Sequence, residues 1–163
     1  ACQEWNGDIA EVMRKDPGVS FTLAEERGYQ LFKANCSSCH AEPLFTHGGF
    51  ENNGLAPDSA LMDVGRMKVT GDPADAYKFK VPTLRNIAYS SPYFHDGRFN
   101  KLMEVLDHYT NGITESPTLA KELRPPVRLN KSEKKDLIAF LKTLTDRPFL
   151  YNRAFQFDFS DKF

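Results

Sequence analysis

The sequence predicts a mostly α-helical domain whose helices are separated by long loops. Three observations carry this. Segments after Thr22 and after Asn130 join a helix-starting cap to an apolar face of helical period. Between them, residues 41–99 show little helical period. Pro43, Gly48-Gly49, Asn52-Asn53-Gly54, Pro57, Gly71, Asp72-Pro73, Pro82, Pro92 and Gly97 punctuate them. Finally, Cys36-Ser37-Ser38-Cys39-His40 follows directly on the first helix.

Taken in order, residues 1–20 are polar and mixed, with a turn signal at Asp16-Pro17-Gly18. They are read as an N-terminal segment, a remnant of a preceding domain. Residues 21–146 form the main domain. Its first helix begins at the capping box Thr22-Leu23-Ala24-Glu25, and Leu23, Tyr29, Leu31 and Phe32 lead into Cys36. So long an irregular stretch as 41–99 is usually functional, and Phe45, Phe50, Phe79, Tyr93 and Phe94 argue against its full exposure. A helix is expected over 100–110, where Leu102, Val105, Leu106 and Tyr109 repeat with helical spacing. That register turns Tyr109 inward and rotates Met103 and His108 off the stripe. A short helix is expected over 116–124. The last clear helix spans 131–145, capped by Asn130 or Ser132, with Leu137, Ile138, Leu141 and Leu144 on its apolar face. Residues 147–163 read as an aromatic, extended C-terminal extension with Phe149, Tyr151, Phe155, Phe157, Phe159 and Phe163. It clamps onto the domain or onto a partner.

The chain has 163 residues, enough for one domain with a real core. With a formal net charge of -1 it has no basic stripe for nucleic acid, and no apolar run approaches a membrane span. Thirteen Phe and ten Pro fit a core packed around a large flat aromatic cofactor, and fit an ordinary aromatic core equally.

Residues 36–40 narrow the chemistry. Two cysteines three apart lie on one turn of helix, where both sulfurs can bond the two vinyl edges of one haem. His40 then stands under the iron as proximal ligand. C-x-x-C-H is read as a c-type haem attachment for this reason. A Cys2His2 zinc site wants a second close ligand pair, and the remaining histidines, His47, His95 and His108, supply none. A thioredoxin-like pair would follow a strand, whereas here a helix precedes it. Covalent haem attachment happens outside the cytoplasm, so a periplasmic or other extracytoplasmic compartment is expected. No signal peptide is present, which suggests a mature or excised chain. Cys2 is left over. It suits a lipid anchor, making the protein a membrane-anchored lipoprotein, or a plain free thiol.

One histidine leaves the iron incomplete. A Met as second ligand would raise the potential and suit electron transfer, whereas a Tyr phenolate favours ferric and higher oxidation states. The candidates are Met62, Met67, Met103, His47, His95, His108 and Tyr109. Periodicity favours Tyr109 as inward, which a buried core Tyr explains equally well.

Two further runs, Phe79-Lys80-Val81-Pro82-Thr83-Leu84-Arg85-Asn86-Ile87 and Ser91-Pro92-Tyr93-Phe94-His95-Asp96-Gly97-Arg98-Phe99, resemble signatures of the bacterial di-haem cytochrome c peroxidases and their MauG-like relatives. Gly65-Arg66, Val69-Thr70-Gly71 and the run Asp136 to Thr145 also fit. The resemblance covers roughly residues 19–155 and is to the C-terminal haem domain of that family. It implies a cytochrome-c-like fold with long loops around one covalent haem c. It also implies a second ligand fourteen residues after the PYxH histidine, which is Tyr109 here. Peroxidases proper usually carry Met there and MauG-like proteins carry Tyr; Met103 is the alternative within this chain. It further implies a calcium ion held partly by the backbone carbonyls of Ser90 and Pro92.

The family carries two CxxCH motifs and a tryptophan between the haems. This chain has one CxxCH, and its single tryptophan, Trp5, lies in the poorly matching N-terminus. The chain is therefore read as the haem domain of a peroxidase-like oxidoreductase missing its N-terminal haem domain, or as a mono-haem electron carrier. Hydrogen peroxide, and a small redox-protein donor or a protein substrate, are the partners implied, with a homodimer also allowed. Arg85 and Arg66 are candidates for haem propionates, Arg85 the stronger. His95 is read either as a propionate or pocket residue, or as half of a turn-stabilising pair with Asp96. His47 and His108 are read as surface residues. No catalytic residue is assigned.

Overall fold

A computed structural model describes residues 18 and 20–155. Helix α1 (Leu23–Asn35) starts where the capping box predicts. The Thr22 hydroxyl accepts from the Glu25 amide, and the Glu25 carboxylate accepts from the Thr22 amide at 2.7 Å. Helix α4 (Lys131–Lys142) starts the same way: the Asn130 side chain accepts from the amides of Ser132 and Glu133, and Glu133 closes the box on the Asn130 amide. Each reciprocal cap satisfies amides that the first helical turn cannot.

The two helices pack against each other and build the core. Their backbones meet at Gly28, where a Cβ would run into the Asp136 carbonyl and lie 2.8 Å from Phe140 Cβ. Only a residue without a side chain permits this approach. Around the crossing, Phe140 sets its ring 5.1 Å from both Tyr29 and Phe32, and Phe32 lies 5.5 Å from Phe45. Phe32, Phe45, Leu84, Leu106, Leu137, Phe140, Leu141 and Leu144 form the buried cluster, and Cys36 packs on its edge. Full burial of each such side chain is worth about 1.5–3 kcal/mol. Arg27 closes the outer side with a two-pronged ion pair to Asp136 at 2.7 and 3.1 Å.

The connection between these helices is irregular, as expected. It holds an antiparallel pair of two-residue strands, β1 (Phe50–Glu51) and β2 (Phe79–Lys80), and a single helical turn, α2 (Met67–Thr70). The next segment departs from the predicted helix over 100–110. Helix α3 (Leu102–Asp107) is α-helical, but the backbone then widens into a π-turn over His108–Gly112. The helix expected over 116–124 shrinks to one 3-10 turn, Lys121–Leu123. Tertiary bonds hold the rest extended: the Asn52 side chain donates to Ser116 and Thr118, and Leu119 pairs with Asn52 as an isolated bridge.

The last helix ends at Lys142 rather than 145. The tail is not extended over the residues described. Asp146 caps a further turn, α5 (Arg147–Leu150), by accepting from the Phe149 amide, with Pro148 in its first turn. Phe157, Phe159 and Phe163, and likewise Cys2 and Trp5, lie outside the described residues. Among the described residues no helix is long and apolar enough to cross a membrane.

Candidate haem site

The CxxCH run does not continue helix α1 but winds off its end. Asn35 is the last helical residue and Cys36 the C-cap, its amide bonded to the Phe32 carbonyl at 2.8 Å. The turn is then closed by the His40 amide on the Cys36 carbonyl at 2.9 Å. This corrects the expectation that both cysteines share a helical turn, yet both thiols stay on one short loop. Both are free of disulfide. Burial first, then the neighbouring Cys39, pushes the Cys36 thiol up to about 12. Burial also raises Cys39, with Glu122 and Glu51 adding to it and Ser38 opposing.

His40 is held by two loops. Its Nδ1 donates to the carbonyls of Phe45 (3.1 Å) and Pro82 (3.2 Å). These loops are laced together: Thr46 Oγ1 donates to the Val81 carbonyl at 2.7 Å, Thr83 Oγ1 to Leu44 at 2.6 Å, and Arg85 Nη2 to Pro43 at 2.8 Å. Phe45 is fully buried with φ +53°, a left-handed conformation that bulky residues seldom adopt. It sits where its carbonyl meets His40. Burial lowers the His40 pKa, against the pull of its two carbonyl partners. A neutral ring that donates through Nδ1 keeps its Nε2 lone pair for a metal, the usual outer-shell arrangement of a metal-binding histidine.

Tyr109 approaches the same thiols from the π-turn. Burial, and then the charge of Cys36, raise its phenol well above the ordinary range, while a hydrogen bond from the Asn53 side chain opposes the shift. Phe94 stands beside it, with its ring 6.0 Å from Tyr109 and 5.0 Å from His108. Cys36 and Cys39 both add to the upward shift of Tyr109, and the hydrogen bonds of His40 leave a ligand nitrogen available. These donors, two thiols, a neutral imidazole and a phenol, fit a covalently held haem iron.

His95 is exposed and stacks on Phe79 with ring centroids 3.7 Å apart and planes nearly parallel. Asp96 accepts from Arg98 Nε at 2.6 Å and from the Arg98 amide at 3.2 Å, and the charge of His95 acts on it as well. Arg85 joins the loop that holds His40. Arg66 binds Asp75 at 2.9 Å and lies over the Phe50 ring, which occupies its guanidinium. Met62 is 79% exposed, and Met67 and Met103 are half-buried. Ser90 and Pro92 lie exposed on the loop before Tyr93. Among the described residues no three His, Cys, Asp or Glu side chains cluster as a metal site.

His47 is exposed, as expected, whereas His108 is buried. It lies off the apolar stripe, but the loop carrying Asn53, with Phe94 and Phe99, covers that face. Its Nε2 donates to the Asn53 carbonyl at 2.9 Å. Neither His108 nor Asn53 carries a local signal for this role. Phe94 sits inside the PYxH run that the sequence singles out.

The cytochrome c family model matches residues 25–145. The methylamine utilization protein MauG of Methylorubrum extorquens is 40% identical over 127 residues, covering 76% of this chain and 35% of that protein. The cytochrome c551 peroxidase of Nitrosomonas europaea is 40% identical over 128 residues, with the same two shares. The chain thus spans about a third of the length of these curated relatives. Among solved structures, a MauG-like protein associated with microbial copper homeostasis superposes with a TM-score of 0.77 at 31% identity. That match covers 94% of this chain and 55% of the other.

Proposed function

The chain belongs to the cytochrome c family and carries covalently bound haem c, and on that premise we propose that it is the haem domain of a larger peroxidase-like oxidoreductase. In this reading Cys36 and Cys39 hold the haem, His40 binds iron on one face and Tyr109 on the other. The observation that carries it is the π-turn that sets the Tyr109 ring among Phe94 and His108, in a domain whose CxxCH histidine already has its Nδ1 bonded.

The haem supplies one-electron chemistry when bound, and a phenolate ligand stabilises its oxidised forms. The protein's own residues do the rest. The Phe45 and Pro82 carbonyls fix the His40 ring and its tautomer. Phe94 walls the Tyr109 side, and Asn53 offers the phenol oxygen a hydrogen bond. A second haem domain, outside this chain, would exchange electrons with it. Hydrogen peroxide would then be reduced to two waters, taking up two electrons and two protons from a redox-protein donor or a protein substrate. We place the reaction outside the cytoplasm, where haem is covalently attached.

A second reading keeps support from one fact: the sequence contains a single CxxCH, and His40 and Tyr109, if both bound iron, would leave no open site for peroxide. A mono-haem electron carrier has that arrangement. Two measurements separate the readings. In the haem-loaded chain, Tyr109→Phe should abolish the phenolate-to-iron absorption of the ferric state. An unchanged spectrum, with a thioether–iron band lost in Met103→Leu instead, removes Tyr109 as ligand. Peroxide turnover that appears only when a second haem domain is present supports the enzyme reading. Turnover absent even then leaves the carrier.

A further inference from the structure

We propose that Lys134 is a positioning residue for Tyr109, acting through Thr110 and Asp107 to hold the π-turn that carries it. The proposal rests on the reading of Tyr109 as an iron ligand.

A π-turn is a rare, one-turn widening that helices keep chiefly at functional sites. Here the junction lies between Asp107 and His108. Thr110 sits at the centre of the turn, and its hydroxyl donates back to the carbonyls of Leu106 (3.0 Å) and Asp107 (3.1 Å). Such back-bonding gives helical carbonyls a side-chain partner in place of a regular amide. A hydroxyl has one proton and two lone pairs, so once its proton serves these carbonyls it can still accept. Lys134 fills that role, with Nζ 2.7 Å from Thr110 Oγ1 and 2.8 Å from Asp107 Oδ1. A relay therefore runs from α4 through Lys134 and Thr110 to the carbonyl at the α-to-π junction.

Two features argue that this contact does more than add stability. The Lys134 side chain is only 8% exposed, whereas Asp107 is 58% exposed. The lysine gives up its hydration for a partner that remains in water, where an apolar side chain of the same length would pack without that loss. What an apolar residue could not supply is two directional donors at one junction. The second feature is the placing of the ties. The residue before Tyr109 is fixed by His108 on the Asn53 carbonyl, and the residue after it by Lys134 on Thr110. Both neighbours of Tyr109 are thus bonded to different parts of the fold, which sets the direction of its phenol.

The test uses haem-loaded protein carrying Lys134→Met or Thr110→Val. The expected result is a second ferric population without the phenolate-to-iron absorption. It corresponds to a loss of about 10-fold or more in phenolate binding, the usual scale for outer-shell partners of a metal ligand. Far-ultraviolet dichroism and covalent haem content should stay at the parent's level, and Lys134→Arg should recover part of the band. Arg27→Ala, which breaks the α1–α4 ion pair away from this junction, should leave the absorption intact. If Lys134→Met retains the parent's absorption and midpoint potential, whatever its melting temperature, the proposal is overturned. Should that variant fail to fold, the isosteric Thr110→Val decides by the same readout. An unchanged spectrum in Tyr109→Phe would mean that the ligand reading itself is wrong. A band lost there but kept in both Lys134→Met and Thr110→Val would sink only the positioning role.

Discussion

On the His40 side, two cysteines and the histidine lie within five consecutive residues, on a turn that packs through Cys36 on the edge of the α1–α4 core. The ring is oriented by two backbone carbonyls, so side-chain identity at those positions matters less than loop shape. On the Tyr109 side, the phenol depends on groups scattered over the chain: Asn53, Phe94, Asp107, His108, Thr110 and Lys134. A contiguous motif is fixed by its own covalent spacing. A dispersed one exists only when the fold brings it together. The first should survive damage that erases the second.

Phe140→Ala is the severest test of that difference. It removes the ring that Tyr29 and Phe32 both face, at a cost of about 3–5 kcal/mol in denaturant unfolding. Covalent haem should remain on the fraction that folds; haem lost in step with stability would erase the distinction between the two sides. His108→Leu cuts the distal side alone. It leaves the half-buried Asn53 carbonyl without its donor, costs about 1 kcal/mol, and should alter the ferric spectrum. A spectrum identical to the parent's would show that Asn53 is held well enough without it.

Smaller changes sharpen the same contrast. Asn130→Ala removes the cap of α4 and should lower stability by about 1 kcal/mol in thermal unfolding, with no spectral change. The smallest effect is pH-dependent. The side-chain bond from Arg27 holds the Asp136 carboxyl below its ordinary value, against a small opposing effect of burial. The unfolded chain therefore binds a proton at Asp136 before the folded one does. The stabilisation is complete above the unfolded carboxylate pKa, about 4, and disappears as pH falls through the lower folded value. The stability gap between parent and Asp136→Asn should shrink over that acid window while the distal spectrum stays constant. A gap that is flat with pH would show the pair to be inert.

Much of the fold was legible because its signals are local. The capping box at Thr22 and the cap expected at Asn130 or Ser132 placed both main helices, and the Gly and Pro pattern marked 41–99 as irregular. The π-turn was not legible: Leu102, Val105, Leu106 and Tyr109 repeat as an α-helix should, and the widening answers to Thr110 and Lys134. His108 reads as exposed on helical spacing, yet loop residues distant in sequence cover it. The helix expected over 116–124 yields to Asn52, whose side-chain bonds outweigh local propensity. Asp146 and Pro148 did carry a helix-start signal, and the aromatic composition of the tail obscured it.

The sequence alone determined the CxxCH motif, the cytochrome c family it signals and the two main helices of the domain. Spacing along the chain is covalent, and a cap acts within four residues. Only the tertiary structure decided that His40 donates to the Phe45 and Pro82 carbonyls, that Tyr109 rides a π-turn, and that a buried lysine from α4 bonds to that turn. Those relations join residues far apart in the chain. Their energies depend on burial and on hydrogen-bond direction, which no local pattern encodes.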